Sequence, residues 1–204
     1  MTDVAIARPL SSKGRQTRQA ISEAARALFA RRGFHGTTLA DITSAAGKST
    51  ASFYRYFTDK EDLLAELAED FLREVTELPK LPDGGDFFVS AAGLYWEKFK
   101  PNIGIMLAVD QLAATEARFA LLQNRFRQFG VGIVAASVRR AQQQGYAADL
   151  DADNIALAIA LLFERFTSVS LSAGLSDDEA VATLSTIWRK TLYGQGDISG
   201  FQPA

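Results

Sequence analysis

Residues 37–64, TTLADITSAAGKSTASFYRYFTDKEDLL, carry the side chains best suited to a specific task. Two short helical stretches are joined at Gly47. In the second, Phe53 and Phe57 stand at i, i+4 and turn inward. That leaves Thr50, Ser52, Tyr54, Arg55 and Tyr56 on the other faces, with Lys48 and Ser49 at the N-terminal edge. Short hydroxyls and an arginine reach base edges, aromatics press on sugar–phosphate, and a positive end meets phosphate. The chemistry implied is recognition of a DNA groove. Lys60, in the first turn of the following helix, is placed to share a phosphate with a free helical N–H. Lys13, Arg15 and Arg18 form a basic arm suited to the backbone or the minor groove. The alternatives are half-buried packing for Tyr54 and Tyr56 and a solvated surface charge for Arg55. His35, the single histidine, reads as a loop residue.

Little else in the 204 residues suggests chemistry. The chain has no cysteine, which removes disulfides, zinc fingers and thiol catalysis together. No nucleophile–base pair, carboxylate dyad or metal cluster stands out, so no enzyme, metal or cofactor is expected. The apolar run Val4–Ala7 is too short, and its flanking charges are in the wrong order, for a secretory signal. No stretch reaches roughly 18 uninterrupted apolar residues, so no membrane partner is expected and the cytoplasm is the expected compartment. The net charge of −2 hides an asymmetry. Residues 1–60 hold ten Lys/Arg against four Asp/Glu, and residues 61–204 hold twelve against twenty. A basic head on an acidic body fits a polyanion-binding module joined to something else.

The elements that position these residues are all helical. Apolar residues recur at helical spacing between the prolines and glycines, and no alternating strand is evident. A first helix over 17–32 buries Ile21, Ala25, Leu28 and Phe29 and stops at Gly33, an αL cap. Leu39, Ile42, Ala45 and Ala46 pack the next short helix onto it. Capping boxes are expected at Thr38/Asp41, Thr58/Glu61 and Ser176/Glu179. A helix over 60–77 follows, then a linker over 79–86 (PKLPDGGD) and helices near 87–99, 102–115, 117–144, 153–173 and 177–193. Gly130 and Gly132 suggest a bend in the longest. The fold class is all-α, with about nine helices. Its parts are a basic arm over 1–16, a three-helix helix-turn-helix domain over 17–60 and a helical regulatory and dimerisation domain over 61–204. The 60–77 helix connects the last two.

The stretch from Thr17 to Leu67 resembles the TetR-type (tetracycline repressor) transcriptional regulators. The shared pattern is Thr37, Thr38, Ile42, Ala46-Gly47, Ser49, Tyr54, Tyr56-Phe57, Lys60 and Leu63 or Leu64, and Thr37 and Thr38 join the expected DNA contacts. Lys48 stands where a small aliphatic residue is common, and Ala51 where glycine is common. Both lie at the groove-facing end, so operator sequence does not carry over from relatives.

For the remainder, the resemblance implies a helical domain that dimerises and often binds an inducer. Ile155–Phe163 (IALAIALLF) is apolar around its whole circumference, so one face is left for a partner. Ile155, Ile159, Leu162 and Phe166, with Val181, Leu184 and Trp188 of the last helix, form the expected interface of a homodimer. The alternative is a single deep core helix. A ligand pocket is expected among Tyr95, Trp96, Phe99, Ile103, Met106, Phe126 and Phe163, with Asp110, Gln111 and Glu164 as polar anchors or as structural residues. One recognition helix reads few base pairs, whereas a two-fold pair meets successive major grooves about 34–36 Å apart. The expected function is therefore a homodimeric repressor of a palindromic operator, released by a small apolar or amphipathic effector of unknown identity. The alternatives are a ligand-independent regulator or activator with the same head, and a helical carrier or enzyme.

Overall fold

Helix α1 (Ser12–Arg32) begins at Ser11, whose hydroxyl accepts the Gly14 N–H at 3.2 Å. The computed structural model describes residues 11–77 and 86–194. Residues 1–10 of the expected arm and 79–85 of the expected linker lie outside them. The helix starts earlier than the expected Thr17, because Ser11 is a good N-cap and nothing beyond it breaks the turn. Lys13 and Arg15 therefore stand on helix rather than in an arm. Gly33 ends the helix with φ +70° and ψ 171°, not in the αL basin, while its N–H closes onto the Phe29 carbonyl.

Helix α2 (Leu39–Ala45) opens with the expected Thr38/Asp41 capping box. Gly47 makes the turn with φ +63°, a conformation that would strain any residue bearing a Cβ. Helix α3 spans only Thr50–Phe53, capped by the Ser49 hydroxyl. Helix α4 (Lys60–Thr76) is capped by Asp59, which accepts from Asp62 N–H at 2.6 Å. The expected Thr58/Glu61 box is not formed: the N-cap falls one residue later, on a carboxylate favoured at the positive end of a helix, and Asp62 accepts from Thr58 N–H at 2.8 Å.

The body comprises α5 (Phe87–Phe99), a 3-10 turn (Lys100–Asn102), α6 (Ile103–Ala113), α7 (Ala117–Gln143), α8 (Ala152–Ala173) and α9 (Asp177–Tyr193). These bounds match the expected helices closely. Helix α7 runs through Gly130 and Gly132 without interruption, and α9 opens with the expected Ser176/Glu179 box. No strand occurs among the described residues.

Two hydrophobic cores organise the chain. The first joins Ile21, Phe29, Phe34, Ile42, Phe53 and Phe57 of the head to Leu63–Val75 of α4, Ile105–Leu112 of α6 and Phe119–Phe126 of α7. The second packs α5, the C-terminal half of α7, α8 and α9 around Phe88, Trp96, Val138, Phe163 and Trp188. Ala45 is exposed, so Leu39, Ile42 and Ala46 seat α2 without it, together with the buried Thr43. Head and body share the first core, and they meet without intervening side chain at Gly104. A Cβ built there would lie 2.4 Å from Ala30 N and 2.6 Å from Ala30 Cα. Helices α6 and α1 therefore touch backbone to backbone.

Within α8, Ala152–Leu171 is long and apolar enough on composition to cross a membrane. It includes Glu164 and Arg165 and packs along α7. Leu157 and Leu161 point outward from it, as does Val169.

Gly104→Ala has no room without parting α1 from α6, and overpacking of this kind costs about 1–3 kcal/mol. Gly132→Ala, with nothing within 4 Å of the added methyl, should be neutral or stabilising by up to roughly 1 kcal/mol. Urea unfolding of the two variants separates them, and equal stability would refute the close contact.

Candidate nucleic-acid interface and cavity

The helix-turn-helix presents one polar face. Phe53 and Phe57 are buried, with ring centroids 5.3 Å apart, and they anchor the second helix from beneath. Tyr54 is the most exposed aromatic of the segment at 60% and stands edge-on to Phe53. Lys48, Ser49, Thr50 and Arg55 are exposed around it, and neither Lys48 nor Arg55 enters an ion pair with a described residue. These five residues form one polar patch with two unpaired cations, as groove contact requires. Lys13 and Arg15 are exposed on the first turns of α1.

Several expected contact residues are otherwise engaged. Thr37 is buried at 1% and donates its hydroxyl to the Gly33 carbonyl at 2.8 Å, which removes it from the DNA face. Lys60 donates to the carbonyls of Phe34 at 2.8 Å and Thr37 at 2.9 Å, and its ammonium lies 4.1 Å from the Phe34 ring centroid. Partial burial pushes its pKa below the usual lysine value. It fastens the α1–α2 loop to α4 rather than meeting a phosphate, because the loop carbonyls have no nearer donor. Arg18 is likewise held, donating to Glu66 of α4 and lying over the Phe57 ring at 5.6 Å. Burial pushes Glu66 above the ordinary carboxylate range, and Arg18 opposes that rise. Tyr56 is half-buried against the first core, so the packing alternative applies to it and not to Tyr54. The hydroxyls of Thr38 and Ser49 cap α2 and α3, and Ser52 is 3.1 Å from Ser49 Oγ.

A second feature lies in the body. A cavity of about 360 Å³ opens between the two cores. It is lined by Tyr95, Phe99, Met106, Phe126, Phe163 and Glu164, as expected from the sequence. Three expected lining residues are elsewhere. Trp96 is buried in the second core, with Nε1 donating to Asp177 at 2.9 Å. Ile103 packs against the first core, and Gln111 is exposed. Asp110 is not part of the lining; it accepts from Gln123 Nε2 at 2.8 Å, and burial, followed by the nearby Asp110 charge, pushes the Glu164 carboxyl up to about 7. Val75 and Thr76, at the C-terminal end of α4, also line the cavity, as do Gln123, Arg127 and Trp188. Gln123 and Arg127 share a face of α7 at i, i+4 spacing, beside Phe126 and Gly130. That pattern was available in the sequence. The part played by the end of α4 was not.

The expected interface residues divide. Ile159, Leu184 and Trp188 are buried in their own subunit's core, with Trp188 Nε1 donating to Ser137 Oγ at 3.0 Å. Ile155, Leu162, Phe166 and Val181 are partly buried against the same core. Outward-facing positions are instead Leu157, Leu161 and Val169 of α8 and Ile187 of α9. Ile159, Leu184 and Trp188 are thus turned to the core of their own chain, while Ile155, Leu162, Phe166 and Val181 keep part of their surface exposed.

Lys60→Met removes the side-chain donor to the Thr37 carbonyl and leaves Phe34 O only the Thr37 N–H at 3.2 Å, and should lower stability by about 1–3 kcal/mol in the absence of DNA. Arg55→Ala should leave stability within about 0.5 kcal/mol while weakening operator binding by about 1–3 kcal/mol. Lys48→Ala should weaken binding to all sequences and reduce the log–log salt slope by about 1. Thermal unfolding beside salt-dependent gel shifts measures all three. A Lys60 variant that melted normally but lost salt-dependent binding would reverse its assignment.

Residues 21–67 match the family model of "Bacterial regulatory proteins, tetR family". Across 196 residues the chain is 27% identical to the HTH-type transcriptional regulator YdgC of Bacillus subtilis (strain 168), covering 91% of this chain and 95% of that one. Over 119 residues it is 29% identical to the HTH-type transcriptional repressor KstR2 of Mycobacterium tuberculosis (strain ATCC 25618 / H37Rv), covering 52% and 57% of the two chains. The fold matches a transcriptional regulator from Saccharomonospora viridis, solved in complex with choline, at a TM-score of 0.69 and 24% identity. That match covers 87% of this chain and 98% of the other. The match of residues 21–67 to the tetR-family model and the likeness of most of the chain to HTH-type transcriptional regulators, none of them an enzyme, identify a DNA-binding transcriptional regulator with a TetR-type head.

Proposed function

We propose that the protein is a homodimeric, cytoplasmic repressor of a palindromic operator, released when a small molecule fills the cavity between the two cores. The observation that carries this reading is the position of α4. Its C-terminal residues Val75 and Thr76 line the cavity, while Lys60 at its N-terminus holds the loop that leads into α2. Its 17 residues span about 25 Å of rigid helix between the two sites. A ligand that displaces one end of α4 moves the other, and with it the recognition face.

The outward stripe of α8 supports a two-fold partner. Leu157, Leu161 and Val169 recur at multiples of four, so they form one ridge, and Ile187 of α9 is exposed as well. An apolar helical surface of this kind is the material of a symmetric interface. A pair of recognition faces then meets successive major grooves, which a single α3 of four residues does poorly alone. The likeness to KstR2, named as a repressor, and to a fold neighbour holding choline supports repression and effector binding.

Selection of bound DNA from a random pool should return an inverted repeat with half-sites about 34–36 Å apart. Leu157→Lys combined with Val169→Asp should sediment as a monomer with unchanged helicity and lose that operator. Thermal shift against a metabolite panel, repeated with operator present, should find a compound that stabilises the free protein and frees the DNA. A non-symmetric selected site, or an unaltered dimer in the double variant, would overturn the dimeric reading.

A further inference from the structure

We propose that Ala51 is a base-reading residue of the recognition face, and that its methyl group selects a thymine by contact with the C5-methyl in the major groove. This role follows from DNA binding and needs neither an effector nor a partner subunit.

Ala51 is exposed on α3, in the middle of the polar patch. Of the exposed residues Lys48, Ser49, Thr50, Ala51, Tyr54 and Arg55, it is the one whose side chain carries no polar atom. Its direction is fixed by the backbone. Ser49 O accepts from Phe53 N–H at 3.1 Å and Thr50 O from Tyr54 N–H at 3.2 Å, so the chain is helical through this stretch. Buried Phe53, two residues on, is then turned about 200° from Ala51 around the helix axis. The Ala51 methyl therefore points away from the core that Phe53 and Phe57 anchor.

The neighbours place that methyl at the closest approach to the bases. Lys48 stands three residues before Ala51 and Arg55 four after it, and neither enters an ion pair with a described residue. Both long chains can span the distance to phosphate or to a base edge while the backbone stays back. Tyr54, 60% exposed, is braced edge-on by Phe53 at 5.7 Å and projects beside them. With two long cations and a tyrosine around it, the shortest side chain marks where the backbone comes nearest to the groove floor. The Ser49 hydroxyl is engaged by the Ser52 N–H at 3.1 Å, which leaves Thr50 as the other short chain on this rim.

What the groove offers decides which base such a methyl selects. Every base pair presents donors or acceptors there, and thymine adds a methyl. A side chain with neither donor nor acceptor can hydrogen-bond to none of them, and against an exocyclic amine or carbonyl it strips water without replacing it. Against the thymine methyl, both apolar groups leave water together. Ala51 also stands where glycine is common among the regulators that the head resembles, and a glycine there has no methyl to offer.

The site selected from a random pool by the full-length protein supplies the probe. Its thymines are replaced one at a time by deoxyuridine, which removes only the methyl, and affinity is measured by gel shift at fixed salt. At one position the wild type should lose about fourfold in affinity, the worth of one buried methyl. At that position 5-methylcytosine should bind more tightly than cytosine by a similar factor. Ala51→Gly should bind the thymine and uracil sites alike. Glycine weakens a helix, so the ratio of the two sites is compared within each protein, where a general loss of affinity cancels. Ala51→Ser is the second variant should the first fail to fold, and selection repeated with it should no longer return thymine at that position. The assignment is overturned if no thymine methyl matters to the wild type, or if the uracil penalty persists in Ala51→Gly. It is overturned as well if Thr50→Ser abolishes the penalty and Ala51→Gly does not. A protein that selects no sequence from the pool would instead overturn the groove assignment of the whole face, and Ala51 with it.

Discussion

The backbones of α1 and α6 touch at Gly104, and much of the molecule's design follows from that contact. A helix pair usually keeps 8–10 Å between axes because side chains intervene. Here the side chain at the crossing is a hydrogen atom, and a methyl would overlap Ala30. Two consequences follow. The recognition head cannot roll on the body without displacing α6, and α6 carries Met106 of the cavity wall. A regulator built on a loose linker would bind DNA and ligand independently. This one joins head and body through a shared core running from Ile21 to Phe126.

Lys60 performs the matching task on the other side of the head. Burying part of an ammonium is costly, and its lowered pKa records that cost. Two carbonyl bonds and the Phe34 ring offset it. The charge is placed where it satisfies the loop preceding α2, so it is not available to phosphate. Arg18 shows the same logic against Glu66 and Phe57. In a head with ten basic residues in its first sixty, some cations therefore hold the scaffold. Exposed Lys48 and Arg55 enter no ion pair with a described residue, and on the proposed reading they are the ones that meet the polyanion.

These two lysines also show what the sequence conveys and what it withholds. Helical periodicity and capping residues placed nearly every helix, because local spacing determines them: 87–99 and 177–193 agree with the structure residue for residue. Phe53 and Phe57 were legible as anchors for the same reason. Whether Lys60 meets DNA or a carbonyl of Phe34 depends on a loop 26 positions earlier folding back onto it, which no local pattern encodes. Leu184 and Trp188 were misplaced for a related reason. A helix that is apolar on several sides declares that it is buried, yet not which side faces its own core. The cavity was legible in its aromatic half, whereas its wall at Val75 and Thr76 was not, because no local pattern says which helix end meets a void.

The cavity's location explains why filling it should matter energetically. A void inside one well-packed core gives a ligand only the contacts of that core, and neighbouring helices need not move. A void between two cores is bounded by elements that belong to different packing units: α4 and α6 to the first, α5 and α8 to the second. Close-packed units shift as bodies rather than deform, so a ligand that wedges this seam separates them by discrete steps. On the proposed reading, the useful quantity is the difference in ligand affinity between the parted and the closed seam. Reversing a 1:99 equilibrium takes about 5.5 kcal/mol of that difference. Apolar burial supplies roughly 25 cal/mol for each Å² newly covered, so some 200 Å² of differential contact would suffice. A cavity of about 360 Å³ ringed by Tyr95, Phe99, Phe126, Phe163 and Trp188 can offer an area of that order. Only contacts that exist in the parted state alone contribute to it. For that reason the residues to watch are those joining the two cores across the void, Met106 and Val75 on one side and Tyr95 and Phe163 on the other.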